Sequence, residues 1–159
     1  AFREGYKEFF DTLYKNNIPL IIFSASGLGY ESIYYTFEKI HRLTDNIYII
    51  SNAFIRDETG KAIGVREPVI HSFNKDETSI KNFPIYEEIK DKKNILLLGD
   101  GIWDAKMADW SDYDNILKIW FLNNDSPENR EKFSEVFDLI ILSDGPMDEI
   151  NKILQKILI

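Results

Sequence analysis

The sequence contains no cysteine and no long apolar run. Without cysteine the chain can form no disulfide framework and no thiolate metal site, which fits a reducing compartment. No apolar stretch approaches the length of a membrane span, and no signal-peptide pattern opens the chain. We therefore expect a cytoplasmic protein without a membrane partner.

Positive charge is also scarce, because 27 acidic residues outnumber 19 Lys and Arg and give a net charge of -8. Binding to a nucleic-acid polymer depends on neutralising phosphates with Lys and Arg, so such a partner is disfavoured. A small phosphorylated ligand remains compatible with an acidic chain. The length of 159 residues and the apolar fraction of 44% fit one globular domain with its own core.

The stretch 94–109, NILLLGDGIWDAKMAD, places two acids after an apolar strand. Residues 95–98 form a continuous apolar run, which is typical of a strand buried on both faces of a parallel sheet. Gly99 turns the chain, and Asp100 and Asp104 follow on the loop and on the first turn of an expected helix. Ligands bind open parallel sheets at the edge formed by the carboxyl ends of the strands. Paired carboxylates at that edge suit a hard cation such as Mg2+. The alternative is that Asp100 caps the helix and Asp104 is a solvated first-turn acid.

A second apolar strand, residues 20–23, leads directly into the small residues SASGLG. Small residues let backbone amides approach an anion closely, and the helix expected at 31–43 adds a favourable dipole. Ser24 is therefore a candidate phosphate ligand through its hydroxyl, together with the amide of Ala25. The alternative is a tight strand-to-helix turn with a serine cap, because one Gly-rich loop is weak support for a site.

A third candidate, Lys75, precedes a helix whose start is marked by Asp76 and Glu77. A lysine at the head of a helix is unfavourable for the helix dipole, so we expect another interaction to hold it there. If Lys75 points toward Ser24 and Asp100, its charge stabilises a phosphoryl group. The alternative is an exposed lysine in a loop.

Apolar strands alternate with helices along the chain, and this order predicts a mainly parallel, doubly wound α/β sheet. A β-hairpin with strands at 53–56 and 62–65, returning through 69–72, interrupts the order, and we interpret it as a solvated flap. Further strands are predicted at 47–50, 116–122 and 139–142, with helices near 2–15 and 128–137 and a closing helix after residue 146.

Taken together, these motifs resemble a known superfamily. FSA at a strand end, FNK before a helix and LLLGD with a second Asp four residues later resemble motifs two, three and four of haloacid dehalogenase superfamily phosphohydrolases. Longer matches such as EGYKEFFDTL, IPLIIFSA and ILKIWFLN cover nearly the whole chain and resemble cytosolic pyrimidine 5'-nucleotidases of the third type. The resemblance implies a Rossmann-like, mainly parallel sheet of the haloacid dehalogenase type. It also implies Mg2+-dependent hydrolysis of nucleoside 5'-monophosphates such as CMP and UMP to nucleoside and phosphate.

The resemblance assigns a role to each candidate residue. It implies that Ser24 and the amide of Ala25 bind the substrate phosphate, and that Lys75 stabilises the phosphoryl group and the nucleophile. It implies that Asp100 binds Mg2+ and that Asp104 supports the metal, through water or by holding Lys75. These roles agree with the chemistry, because phosphoryl transfer depends mainly on charge neutralisation and alignment. The resemblance also implies an aspartyl-phosphate intermediate, which would divide the hydrolysis of the nucleoside monophosphate into two easier steps.

The first motif of this family, DxDxT, is absent, and no DxD occurs in the 159 residues. In the family this motif supplies the nucleophilic aspartate and the general acid, and the cap that recognises the base lies between motifs one and two. We therefore expect residues 1–159 to be a partial haloacid dehalogenase-like core domain of a longer protein, inactive alone and without the cap. The missing strand would be the central one, between the strands that end at Ser24 and Asp100.

Two further departures from the family pattern lie at the site. The sequence GDGIWD replaces GDSxGD, with Gly101 removing a hydroxyl and Trp103 placing an indole where glycine leaves space, and SASGLG is one residue longer than usual. Two alternatives to the nucleotidase stay open for this reason. One is a non-catalytic relative that acts as an interaction or regulatory protein, and the other is a phosphatase for another small phosphate ester.

Overall fold

The computed structural model describes residues 2–71, 80–108 and 112–158. The predicted phosphoryl contact Lys75 and its neighbours Asp76 and Glu77 lie outside these ranges. The described strands are β1 (Leu20–Ser24), β2 (Ile47–Ser51), β3 (Phe54–Arg56), β4 (Ala62–Val65), β5 (Asn94–Gly99), β6 (Asn115–Leu122) and β7 (Leu139–Leu142). The described α-helices are α1 (Tyr6–Lys15), α2 (Gly29–Lys39), α3 (Tyr86–Ile89), α4 (Pro127–Ser134) and α5 (Asp148–Ile157), with a 3-10 helix at Ile102–Lys106.

The strands form two parallel ladders and one antiparallel hairpin. β1 pairs with β2 in parallel, with Leu20 level with Ile47 and Ser24 level with Ser51. β5, β6 and β7 form a parallel three-stranded sheet in that order, and β3 pairs with β4 as the hairpin. The mainly parallel α/β fold predicted from the sequence is therefore confirmed, and so is the hairpin.

Helices cover both faces of the strands, as the continuous apolar runs require. Helices α1 and α5 pack on one face, and their cluster shares buried and half-buried side chains with β1, β5, β6 and β7. On the opposite face, a second cluster joins β1 and β2 to α3. A third cluster joins β6 and β7 to the 3-10 helix and to the segment around α4, where Trp120 stacks on Phe133.

A gap in the hydrogen bonding separates the two parallel ladders. Within the described ranges, no strand ladder joins β1 to β5. The two strands nevertheless share one core, because Leu20 of β1 and Leu96 and Leu98 of β5 pack against the same cluster. The expectation that a central strand belongs between them stays a prediction.

Several element ends differ from the sequence predictions for identifiable reasons. Helix α2 ends at Lys39 rather than at residue 43, because His41 takes a left-handed conformation (φ 54°) and the amide of Arg42 bonds back to the carbonyl of Phe37. Helix α4 ends at Ser134 rather than at residue 137. The predicted return of the hairpin through 69–72 forms no strand at 69–71, and residue 72 is not described. None of the helices in the described ranges combines the length and the apolar character that crossing a membrane requires.

Candidate active site

The carboxyl ends of β1, β5 and β6 surround a cavity of about 350 Å³. Parallel strands place their carboxyl ends at one edge of a sheet, which is where open α/β folds bind ligands. Three of the predicted site residues, Ser24, Asp100 and Asp104, line this one cavity. The complete lining is Arg3, Phe23, Ser24, Leu98, Gly99, Asp100, Asp104, Met107, Phe121 and Asn123.

Asp104 is a buried acid that organises the loop before it. Its side chain is only 7% exposed, and Oδ2 accepts backbone N–H groups from Asp100 at 3.1 Å and from Gly101 at 3.0 Å. The interpretation of Asp104 as a solvated first-turn acid is therefore wrong. The cap interpretation of Asp100 is also wrong, because Gly101 occupies the N-cap of the element that follows. That element is a 3-10 helix in place of the expected α-helix.

Gly99 allows Asp104 to approach the end of β5 this closely. A Cβ atom at Gly99 would lie 2.6 Å from the Cβ of Asp104, which is closer than two carbon atoms can pack. Asp100 is exposed and lines the cavity, and its backbone amide is held by the carboxylate of Asp104. The indole of Trp103 is 45% exposed and is not among the residues that line the cavity.

The loop after β1 is organised by serine hydroxyls. Ser24 Oγ accepts the backbone N–H of Ser26 at 3.2 Å, and Ser26 Oγ accepts the N–H of Leu28 at 3.2 Å. A hydroxyl is donor and acceptor at once, so accepting this bond does not prevent the O–H of Ser24 from donating to a ligand in the cavity. Ala25 does not line the cavity, and its methyl group packs against the second core cluster. The predicted role of its backbone amide stays a prediction.

Asn52 ties the first turn of α2 to the chain that follows β4. Its carboxamide pairs with both backbone groups of Ile70, since Nδ2 donates to the carbonyl at 2.9 Å and Oδ1 accepts the N–H at 2.8 Å. The carbonyl of Asn52 also accepts the N–H of Tyr30 at 2.6 Å. No role for Asn52 was predicted from the sequence. An asparagine just after a strand end was the only local signal available.

The hairpin is joined to the same turn of α2 by an ion pair. Arg56 Nη2 donates to Glu31 Oε2 at 2.6 Å, which connects β3 to the first turn of α2. This hydrogen bond, with the charge of Arg56, holds the pKa of Glu31 below its ordinary range. The hairpin therefore packs beside α2, although the side chains of Ile55 and Ile63 remain exposed on it.

Arg3 and Asn123 line the cavity as well, although neither residue was predicted from the sequence to belong to the site. Arg3 precedes α1 and Asn123 directly follows β6. Arg3 Nη2 donates to Asn123 Oδ1 at 3.1 Å, and the guanidinium carbon lies 4.2 Å from the centre of the Phe121 ring. Local sequence patterns cannot reveal a contact between residues so distant in the chain.

The acids of the cavity fit part of a magnesium site. Asp100 and Asp104 supply carboxylate oxygens, which are the ligands that Mg2+ prefers, and this ion usually keeps several waters. In the parts of the chain that the structure describes, no group of three or more His, Cys, Asp or Glu side chains gathers to hold a metal. The described residues therefore provide a partial set of ligands of the correct chemistry.

Comparisons with known sequences converge on one family. A family model described as Pyrimidine 5'-nucleotidase (UMPH-1) matches residues 1–158. A 7-methylguanosine phosphate-specific 5'-nucleotidase of Rattus norvegicus is 43% identical over 159 residues, covering 98% of this chain and 52% of the relative. A Putative cytosolic 5'-nucleotidase 3 of Caenorhabditis elegans is 32% identical and covers 99% of this chain and 43% of the relative. The chain thus spans about half the length of these relatives.

A comparison of structures gives a consistent result. The crystal structure of cytosolic 5'-nucleotidase IIIB bound to cytidine superposes with a TM-score of 0.89 at 30% sequence identity. The match covers 99% of this chain and 53% of that protein. The fold expected from the resemblance to haloacid dehalogenase phosphohydrolases is therefore confirmed.

Proposed function

We propose, since this chain belongs to the pyrimidine 5'-nucleotidase (UMPH-1) family, that the protein containing it hydrolyses nucleoside 5'-monophosphates to nucleoside and phosphate. The observation that carries this proposal is the cavity in which the hydroxyl of Ser24 and the acids Asp100 and Asp104 meet. Such a site combines a hydrogen-bond donor for the phosphate with carboxylates that can bind a metal ion, as phosphoryl transfer requires. The named relatives are themselves 5'-nucleotidases.

Each residue has a role in this proposal. The O–H of Ser24 and the amide of Ala25 bind the substrate phosphate, and Lys75 neutralises the phosphoryl group. Asp100 binds Mg2+, whose charge offsets that of the phosphate when the ion is bound. Asp104 fixes the backbone that presents Asp100, because one of its oxygens accepts two amides of that loop.

The rest of the active site lies in the other half of the protein under this proposal. Relatives are about twice as long as this chain, which leaves room for the nucleophile motif, a central strand and a cap. Residues 1–159 then form the partial core domain and are inactive alone. We also propose a cytoplasmic location, which is supported by the word cytosolic in the name of the C. elegans relative.

The base of the substrate has two candidates. A pyrimidine, as in CMP or UMP, is supported by the description of the family and by the cytidine-bound structural neighbour. A 7-methylguanosine monophosphate is supported by the name of the rat relative at 43% identity. Turnover of CMP, UMP and 7-methylguanosine monophosphate by the full-length protein will rank these substrates directly.

The experiment that tests the activity compares two Asp→Asn variants of the full-length protein. Asp100→Asn removes the proposed metal ligand, whereas Asp91→Asn makes the same chemical change at an exposed position outside the cavity. We expect wild type and Asp91→Asn to release phosphate from a nucleoside monophosphate only with Mg2+, and Asp100→Asn to release none. Undiminished turnover by Asp100→Asn would remove this residue from the metal site. Absence of turnover in wild type would instead favour a non-catalytic relative.

A further inference from the structure

Arg3 is held at the cavity by a network that joins distant parts of the chain. Its Nη1 donates to the carbonyls of Ser143 at 2.7 Å and of Gly145 at 3.0 Å, in the turn after β7. Its Nη2 donates to Asn123 Oδ1 at 3.1 Å. Both protons of Nη1 are therefore used within the protein, and the guanidinium is fixed in place by its position over Phe121.

This network fixes the orientation of the Asn123 carboxamide. An asparagine side chain presents an acceptor oxygen on one side and two N–H donors on the other, and an arginine can only donate. Because Oδ1 must face Arg3, Nδ2 must face away from it. Asn123 is exposed and directly follows Leu122, which is 1% exposed and anchors the strand end.

Asn123 also stands at the correct edge of the sheet for a ligand contact. β5 and β6 are parallel, and Gly99 of β5 is level with Trp120 of β6. Asp100 and Asn123 therefore follow the carboxyl ends of neighbouring strands at the same edge of the sheet. Both residues line the cavity that contains Ser24. The donors of Asn123 thus complement the acids of the cavity, because an anion needs donors and the carboxylates offer none.

We propose that Asn123 donates a hydrogen bond from Nδ2 to the phosphate group of the substrate, and that Arg3 is a positioning residue that holds its carboxamide in the required orientation. The inference rests on the proposed function and adds a phosphate contact from β6 to those proposed on β1. Inorganic phosphate, the product of the reaction, is recognised by the same donors.

The test measures binding of inorganic phosphate to the full-length protein by calorimetry with Mg2+ present, together with kcat and KM for a nucleoside monophosphate. Asn123→Asp keeps an acceptor for Arg3 but removes the donors and adds a negative charge. We expect it to weaken phosphate binding and raise KM about tenfold or more, with a thermal midpoint close to that of wild type. The matched control, Asn124→Asp, adds the same charge one residue further on, outside the cavity lining. We expect it to change the dissociation constant of phosphate and the KM by less than about twofold.

A double-mutant cycle tests the positioning role of Arg3. We expect Arg3→Gln to weaken phosphate binding in the wild-type background and to add nothing in the Asn123→Ala background, because Arg3 acts through Asn123. A purely structural role would give the same loss in both backgrounds and would overturn this part of the proposal. Equal effects of Asn123→Asp and Asn124→Asp, or no phosphate binding by wild type, would overturn the contact itself. If wild type binds phosphate without turning over nucleotides, the nucleotidase proposal fails while the Asn123 contact is still tested.

Discussion

Replacing Gly99 by alanine tests whether the close contact between β5 and the 3-10 helix builds the site. The new Cβ would lie 2.6 Å from the Cβ of Asp104, 3.3 Å from its Cγ and 3.1 Å from its Oδ2. A Cβ atom cannot be moved by side-chain rotation, so the backbone of the 3-10 helix must shift. The shift separates Asp104 Oδ2 from the amides of Asp100 and Gly101, which it now accepts at 3.1 and 3.0 Å.

The expected cost follows from these contacts. Forced overlap in a packed region costs about 1–3 kcal/mol, and each weakened hydrogen bond to the carboxylate adds roughly 1 kcal/mol, so we expect about 3–5 kcal/mol in total. Gly101→Ala is the matched control, because its Cβ would lie 3.5 Å from Asp104 Oδ2, in ordinary contact. We expect that variant to stay within about 0.5 kcal/mol of wild type.

The assay is urea denaturation of the full-length protein, followed by tryptophan fluorescence, with Mg2+ affinity measured in parallel. Gly99→Ala should lower the midpoint of unfolding and weaken Mg2+ binding, whereas Gly101→Ala should change neither by much. Equal stability and equal Mg2+ affinity of the two variants would refute the reasoning, because the close approach at Gly99 would then have no structural consequence.

Three further predictions concern the surroundings of the site. Gly29→Ala should destabilise the protein by about 1–3 kcal/mol in urea denaturation, because Gly29 has φ +75° and the new Cβ would lie 2.9 Å from the ring of Phe54. Ser126→Ala should cost about 1 kcal/mol in the same assay, since the serine side chain caps α4. Arg56→Gln should raise the pKa of Glu31 toward its ordinary value in an NMR titration. The native pair stabilises the protein above the ordinary glutamate pKa and loses this effect as the pH falls through the lowered pKa.

The strands follow from local chemistry and were predictable from the sequence, whereas the ends of α2 and α4 were not. The apolar run at 139–142 is bounded by polar and turn-forming residues, and the observed β7 has the same limits. Helix α1 ends at Lys15, the end predicted from the sequence, and Asn17 takes a left-handed conformation (φ 52°) after the last turn. His41 ends α2 in the same way, but histidine is a weaker signal for that conformation than asparagine or glycine.

The site was predictable only where it depends on strand ends. Ser24 and Asp100 each follow an apolar strand, and parallel pairing brings such residues to one edge of the sheet. The burial of Asp104 depends on a turn in which its carboxylate accepts two amides, and spacing alone did not distinguish this from a solvated acid. The contact between Arg3 and Asn123 joins residues 120 positions apart, and no periodicity reports such a pair.

The most direct test of the central claim is whether one ion and one phosphate bind together at this cavity. Mn2+ can replace Mg2+ as a paramagnetic ion, so the 31P resonance of inorganic phosphate bound to the full-length protein reports their proximity. We predict that Mn2+ broadens this resonance strongly in wild type. In both Ser24→Ala and Asp100→Asn we predict that the broadening is lost and the resonance stays narrow. Broadening that is the same in wild type and in these two variants would contradict the account, because the ion and the phosphate would then meet elsewhere.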